Sequence, residues 1–381
     1  MNRRPVRVAA SAPRLADLDH LRTSLTALVI AHHSAIAFGA SGGWYYVVPA
    51  PKGSLAPLVL TLFAGVNQAF FMALFFAIAG HFTPSAFASK GPRAFLRDRF
   101  ARLGIPLVVY FFVLNPIVVY LARRFEGRTS LSFVSFVAAN VPGVFGTGPL
   151  WFVLALLVFA LAYTTREKLR TRPADPHPFP ASDAVIVRFA IAIGLIAFCV
   201  RIVFPVGWAV LGLQLGYFPL YIALFFFGIL ARRDAWLAAI DRRRAIRWFR
   251  AALVAIAVMP AAIVLGGGAS DGGEAFRGGI SWQALVYALW EPVVCIGVSL
   301  RLLVLFRERF SGTTRFSARL DRSAYAAYIL HPLVVVPLTA AIAPRPGGPI
   351  VHFVALATAA IGVSFAAADL VRRAPGARRI L

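Results

Sequence analysis

The sequence predicts an all-α, polytopic membrane bundle of about ten transmembrane helices with both termini in the cytoplasm. Three observations carry that prediction. Sixty per cent of the 381 residues are hydrophobic and the mean hydropathy is +0.76, as expected of a chain made largely for lipid. Apolar runs long enough to cross a hydrocarbon layer follow one another with only short polar connections between them. The basic residues, finally, collect in every second connection.

The spans follow in order. A basic stretch, 1–20, holds four Lys or Arg and leads into the first span, 21–39. The second, 55–82, returns the chain to a basic segment, 83–103, with five. The third, 104–122, exits to an outer segment with Arg123, Arg124 and Arg128, and the fourth, 149–165, comes back to four cations in 166–184. The fifth and sixth, 185–204 and 215–231, form an excursion ending in the most basic connection, 232–250, with seven. The seventh and eighth, 248–266 and 282–306, return to 307–322 with five, and the ninth and tenth, 323–343 and 350–371, end at a tail, 372–381, with four. The inner segments thus hold 29 cations and the outer ones six. That asymmetry sets the orientation by the positive-inside rule.

The net charge of +24 is therefore a matter of topology and headgroup contact, and no nucleic-acid partner is expected. No connection is long enough for an independent soluble domain, so 1–381 reads as a single integral domain. The basic N-terminus runs into the first helix without a small-residue cleavage site, so that span is expected to be retained. Cys199 and Cys295 both fall inside spans and read as core residues.

Polar side chains at membrane depth are functional candidates. Arg22 and His33 are eleven residues apart, close to three whole turns, and share one face of the first helix to within about 20°. His32 is rotated by about 100° from that stripe. A cation at the inner end and an imidazole beyond the midplane suit an anionic substrate that arrives from the cytoplasm, although snorkelling and interhelical bonding explain the same residues. Glu291 is the acidic residue well inside a span. Its depth matches that of His33 to within a turn, so it can orient the imidazole of a general base; pairing with Arg201 is the equal alternative.

Arg99 and Arg102 precede Pro106 in RDRFARLGIP, a spacing suited to clamping phosphate at the inner surface. Arg201, Trp208, Gln214 and Tyr217 can stack on and hydrogen-bond a sugar, although an interfacial aromatic belt gives the same pattern. No phosphate loop, metal-spaced Cys and His cluster or G-x-S-x-G elbow is present, so no metal site is expected.

These features in this order resemble acyltransferase family 3, the integral membrane O-acyltransferases. The resemblance rests on Asp19, Leu21, Arg22 and His33 in the first span, on Arg99, Arg102 and Pro106, on GPLWFVLALLVF at 148–159, on RIVFPVG and LGYFPLYIALFFFGILA, and on SAYAAYILHPLVVV at 323–336. Details are similar to the glucan biosynthesis protein C branch, membrane succinyltransferases. The resemblance implies transfer of an acyl group from cytoplasmic acyl-CoA to a hydroxyl of an extracytoplasmic or lipid-linked carbohydrate, in a bacterial inner membrane and with no permanently bound cofactor. By position it makes His33 the catalytic histidine, Arg22 the first-span arginine and Arg99 with Arg102 the R-x-x-R pair that binds the donor. His32 and His331 are left as candidates near the substrate. The alternative of another class is a transporter or flippase whose Arg22, His33 and Glu291 conduct a proton or an anionic lipid.

Overall fold

Lipid offers no partner for backbone polar groups, so a spanning chain must satisfy them within its own helices. The computed structural model describes residues 15–170, 182–268 and 273–381. The basic stretch 1–14 and the middle of segment 166–184 lie outside them. Among the described residues the long elements are helices: α1 (Ala16–Ala37), α2 (Ala56–Lys90), α3 (Pro92–Phe125), α4 (Trp151–Leu169), α5 (Asp183–Val203), α6 (Phe218–Arg233), α7 (Arg242–Leu265), α8 (Trp282–Arg309), α9 (Arg315–Ile342) and α10 (Pro349–Val371). Among the described residues nine helical runs, those of α2 to α10, are long and apolar enough to cross a membrane.

The remaining long helix, α1, is the one that carries Arg22, His32 and His33. It packs against α2, α8, α9 and α10. Leu18, Leu21, Leu25 and Val29 enter the main core with Phe70, Phe71 and Leu74 of α2 and Val294 and Val298 of α8. Ile30 and Ile36 enter a second cluster with Ala327 and Val335 of α9 and Leu356 of α10. Neighbouring helices thus bury His32 and part-bury His33, the placement that makes them tolerable in a membrane, while the Arg22 side chain near the helix start stays 41% exposed.

Several helices overrun the apolar windows at the same end of the bundle. The segment 83–103, expected to be a connecting loop, is helical: α2 continues to Lys90, Gly91 turns the chain at φ +74°, and α3 starts at Pro92 instead of 104. α7 starts at Arg242 because Asp241 caps it, accepting from the Arg244 N–H at 2.8 Å. α9 starts at Arg315 through a reciprocal Thr314 and Ser317 capping box. Capping, not the lipid boundary, decides where these helices begin.

α3 contains two π-helical turns, Phe100–Gly104 and Tyr110–Leu114, features that re-aim side chains within a helix. α2 and α6 approach backbone to backbone: a Cβ at Gly80 would lie 2.1 Å from the Phe225 carbonyl oxygen, and one at Gly228 2.0 Å from that of Ala77. The start of α1, the start of α9 and the end of α10 share one face, here the basic face. His20 bonds to Gly312 and Asp321 at 2.9 Å, and Arg319 of α9 pairs with Asp369 of α10 at 2.7 Å. Cys199 and Cys295 are both free.

Candidate functional site

α9 carries Tyr325, Tyr328 and His331 at three-residue intervals, and each reaches a different part of the chain. The Tyr325 hydroxyl donates to the Arg102 carbonyl at 2.8 Å. That of Tyr328 donates to the Pro149 carbonyl. His331, fully buried, places Nε2 2.9 Å from Nδ1 of His33.

The residue after His331 explains how its ring is held. Pro332 has no N–H to give the carbonyl four positions back, which is that of Tyr328. That oxygen instead lies 2.6 Å from Nδ1 of His331. A carbonyl only accepts, so His331 Nδ1 carries a proton and, in the neutral ring, Nε2 is the acceptor. It follows that Nδ1 of His33 donates to it and the His33 lone pair is on Nε2. The chain Tyr328 C=O, His331, His33 therefore selects the tautomer that a general base needs. A neutral imidazole does this without taking a full charge into the bundle.

His33 is part-buried. The connection from α1 to α2 folds back over it, tied by the Val48 N–H to the Ala37 carbonyl at 2.9 Å and the Ser41 N–H to the Thr61 hydroxyl at 2.8 Å. From this connection Trp44 stacks face-on against His33, ring centroids 4.1 Å apart and planes 17° apart. The next residue, Tyr45, donates to Asn115 at 2.5 Å and meets the Tyr110 hydroxyl at 2.9 Å, beside the second π-turn of α3. His32 meets His33 edge-on at 5.4 Å and lies against Phe71 of α2 at 5.0 Å.

Glu291 is elsewhere. Of the two pairings the sequence leaves open, the structure contains the one with Arg201, whose Nη2 donates to Glu291 while its Nε donates to the Gly216 carbonyl at 3.0 Å. Arg201 is fully buried, its guanidinium 5.2 and 5.1 Å from the ring centroids of Tyr217 and Tyr287. Gln214 accepts from the Gly207 N–H at 3.2 Å, and Trp208, 47% exposed, stacks on Phe204 at 5.0 Å. Among the described residues no hydrogen bond or ring contact joins this group to His33.

The arginines lie toward the basic face. Arg22 pairs with Asp19 at 3.2 Å, and its neighbour Thr23 donates to Asp321 of α9 at 2.7 Å. Arg102 pairs with Asp98 at 3.3 Å, Asp98 also holding Lys90 at 2.8 Å, and Arg99 lies 5.0 Å over the Phe95 ring. Since Asp321 and Tyr325 are one turn apart, the segments bearing Arg22 and Arg102 meet α9 within about 6 Å along its axis. Tyr325 and His331 are a further six residues apart, about 9 Å. α9 thus links the arginine end to the imidazole pair. Among the described residues no group of three or more His, Cys, Asp or Glu able to hold a metal ion is found.

The partner of His33 and the residue stacked on it are both beyond what the sequence indicates. His331 is 298 positions from His33, and Trp44 lies in the connection between the first two spans, where no local pattern ties it to a histidine. The readable signal was the His331-Pro332 step, which frees a carbonyl beside an imidazole. In comparison with known proteins, the model of the Acyl_transf_3 family, described as an acyltransferase domain, matches residues 15–369. No curated protein and no solved structure matches the chain.

Proposed function

Since the chain belongs to the Acyl_transf_3 family of acyltransferases and is a multi-pass membrane protein, we propose that it moves an acetyl, succinyl or similar group from acyl-CoA to a hydroxyl of an extracytoplasmic or lipid-linked carbohydrate, with His33 as general base. The observation that carries this reading is the Tyr328, His331, His33 chain, which leaves a lone pair on His33 Nε2. The basic face is the cytoplasmic face of an inner membrane. There Arg99 and Arg102 hold the CoA phosphates, guanidinium groups being matched to phosphate oxygens. Arg22 lines the way into the bundle.

At His33 the acceptor hydroxyl gives its proton to Nε2 as its oxygen attacks the thioester carbonyl, and the imidazolium that forms is held by its Nδ1–H bond to His331. Protonation of the departing sulfur by His33 returns the base to its starting tautomer. Acyl-CoA is thus a substrate, not a resident cofactor. Lipid surrounds the bundle, and His32 lies close enough to His33 to touch the bound substrate.

Purified protein offered acetyl-CoA and succinyl-CoA in parallel tests the reading. CoA release by wild type, lost in His33→Ala with the melting temperature retained, supports it. Substrate flux across vesicles without CoA release would replace it with the transporter.

A further inference from the structure

Two rings touch His33 and also carry a buried nitrogen with no hydrogen-bond partner: Trp44, at Nε1, and His32, at Nδ1. A buried donor left unpaired loses its water without compensation, and natural structures seldom do so without a reason. Trp44 is the more informative of the two, because an indole N–H can only donate. It awaits an acceptor.

The chain around Trp44 is built to hold it there. Gly39 and Gly42 take φ of +111° and +150°, conformations that L side chains rarely adopt, and a Cβ at Gly42 would lie 2.7 Å from Ile36. Tyr45 is anchored to Asn115 and Tyr110. The indole is also nearly parallel to His331, planes 16° apart at 5.8 Å, so it caps the imidazole pair. Its N–H is therefore a fixed donor beside the base, presented from the connection opposite the basic face.

Resting on the acyl-transfer reading, we propose that the Trp44 indole N–H is the oxyanion donor of the reaction and hence a catalytic residue. When the acceptor oxygen bonds to the thioester carbon, its proton passes to His33 Nε2 and the carbonyl π electrons move onto the carbonyl oxygen. That oxygen, now anionic, is the acceptor Trp44 lacks in the resting protein. Collapse of the intermediate re-forms the carbonyl and breaks the carbon–sulfur bond, and the thiolate takes the proton from His33 to leave as CoA. A donor already in place needs no reorganisation as the charge develops.

The test is Trp44→Phe in the full-length protein, which keeps an aromatic face on His33 and removes the N–H. A second variant carries β-(3-benzothienyl)alanine at position 44, which keeps the bicycle and exchanges N–H for sulfur. Both are expected to lower kcat for CoA release by about 10²–10³-fold, the effect of removing one oxyanion donor, with KM for acyl-CoA and the melting temperature unchanged. An unchanged kcat in either variant overturns the assignment, as does a loss matched by a fall in melting temperature. If His33→Ala abolishes turnover while Trp44→Phe retains it, acyl transfer stands and the oxyanion role falls. Wild type that releases no CoA overturns both.

Discussion

Nε2 of His331 lies 2.9 Å from Nδ1 of His33, joining the two ends of the chain across 298 positions. The bond unites an α1 helix placed among four neighbours with an α9 helix whose proline leaves a carbonyl free. Two neutral imidazoles bonded in this way fix each other's tautomer without stranding a charge in the bundle.

His331→Phe fills the same space without nitrogen. We expect kcat for CoA release to fall by about 10²–10⁴-fold, as when an oriented base loses its support, with KM for acyl-CoA unchanged. Steady-state kinetics on detergent-purified protein decides this, and wild-type kcat in the variant would show that His331 has no part in orienting His33.

Pro332→Ala restores an N–H that competes with His331 for the Tyr328 carbonyl. A hydrogen bond of this kind contributes about 0.5–1.5 kcal/mol, so kcat should drop by roughly threefold to tenfold. The helix itself should be no less stable, since it gains an internal bond. Measuring kcat and the melting temperature together checks both halves.

Glu291→Gln leaves the fully buried Arg201 without its counter-charge, a loss of about 3–5 kcal/mol for a broken buried pair. Thermal melting should show a large destabilisation while the folded fraction retains its kcat. Arg201→Met combined with Glu291→Leu should recover much of the stability. A fall in kcat at normal stability would instead return Glu291 to the chemistry.

Arg102→Ala removes a charge-assisted contact worth about 1.5–3 kcal/mol, so KM for acyl-CoA should rise roughly tenfold to a hundredfold with kcat little altered. Raising the salt concentration should weaken wild type more than the variant. Isothermal titration with CoA gives the same comparison without turnover, and equal affinities would place the phosphates elsewhere.

The fold was legible because the bilayer leaves a chain few options: apolar runs and alternating cations locate the helices wherever they meet lipid. Their ends were less legible. Hydropathy responds to lipid, whereas Asp241 and Thr314 start α7 and α9 in the polar zone, and Gly91 divides what reads as one loop into two helix ends. In the site, helix periodicity separates His33 from His32 by face, and the structure gives His33 the bond to His331 while His32 lies against Phe71. Depth-matching left Glu291 two partners, and the rotation of α8 that turns it toward Arg201 is not written in the spacing of one helix. Trp44 escaped notice because nothing local distinguishes an aromatic that stacks on a histidine from one that faces headgroups.

The glycine contacts between α2 and α6 divide the bundle mechanically. At Gly80 against Phe225 and Gly228 against Ala77 no side chain separates the two backbones, so the helices are held in fixed register there. α9 meets α3 differently, through interlocked side chains, Val336 against Val118 and Ala122, with the hydroxyls of Tyr325 and Tyr328 donating to the carbonyls of Arg102 and Pro149. One seam is set by backbone shape and the other by side-chain fit, so a substitution that enlarges a residue is felt most sharply at the two glycines.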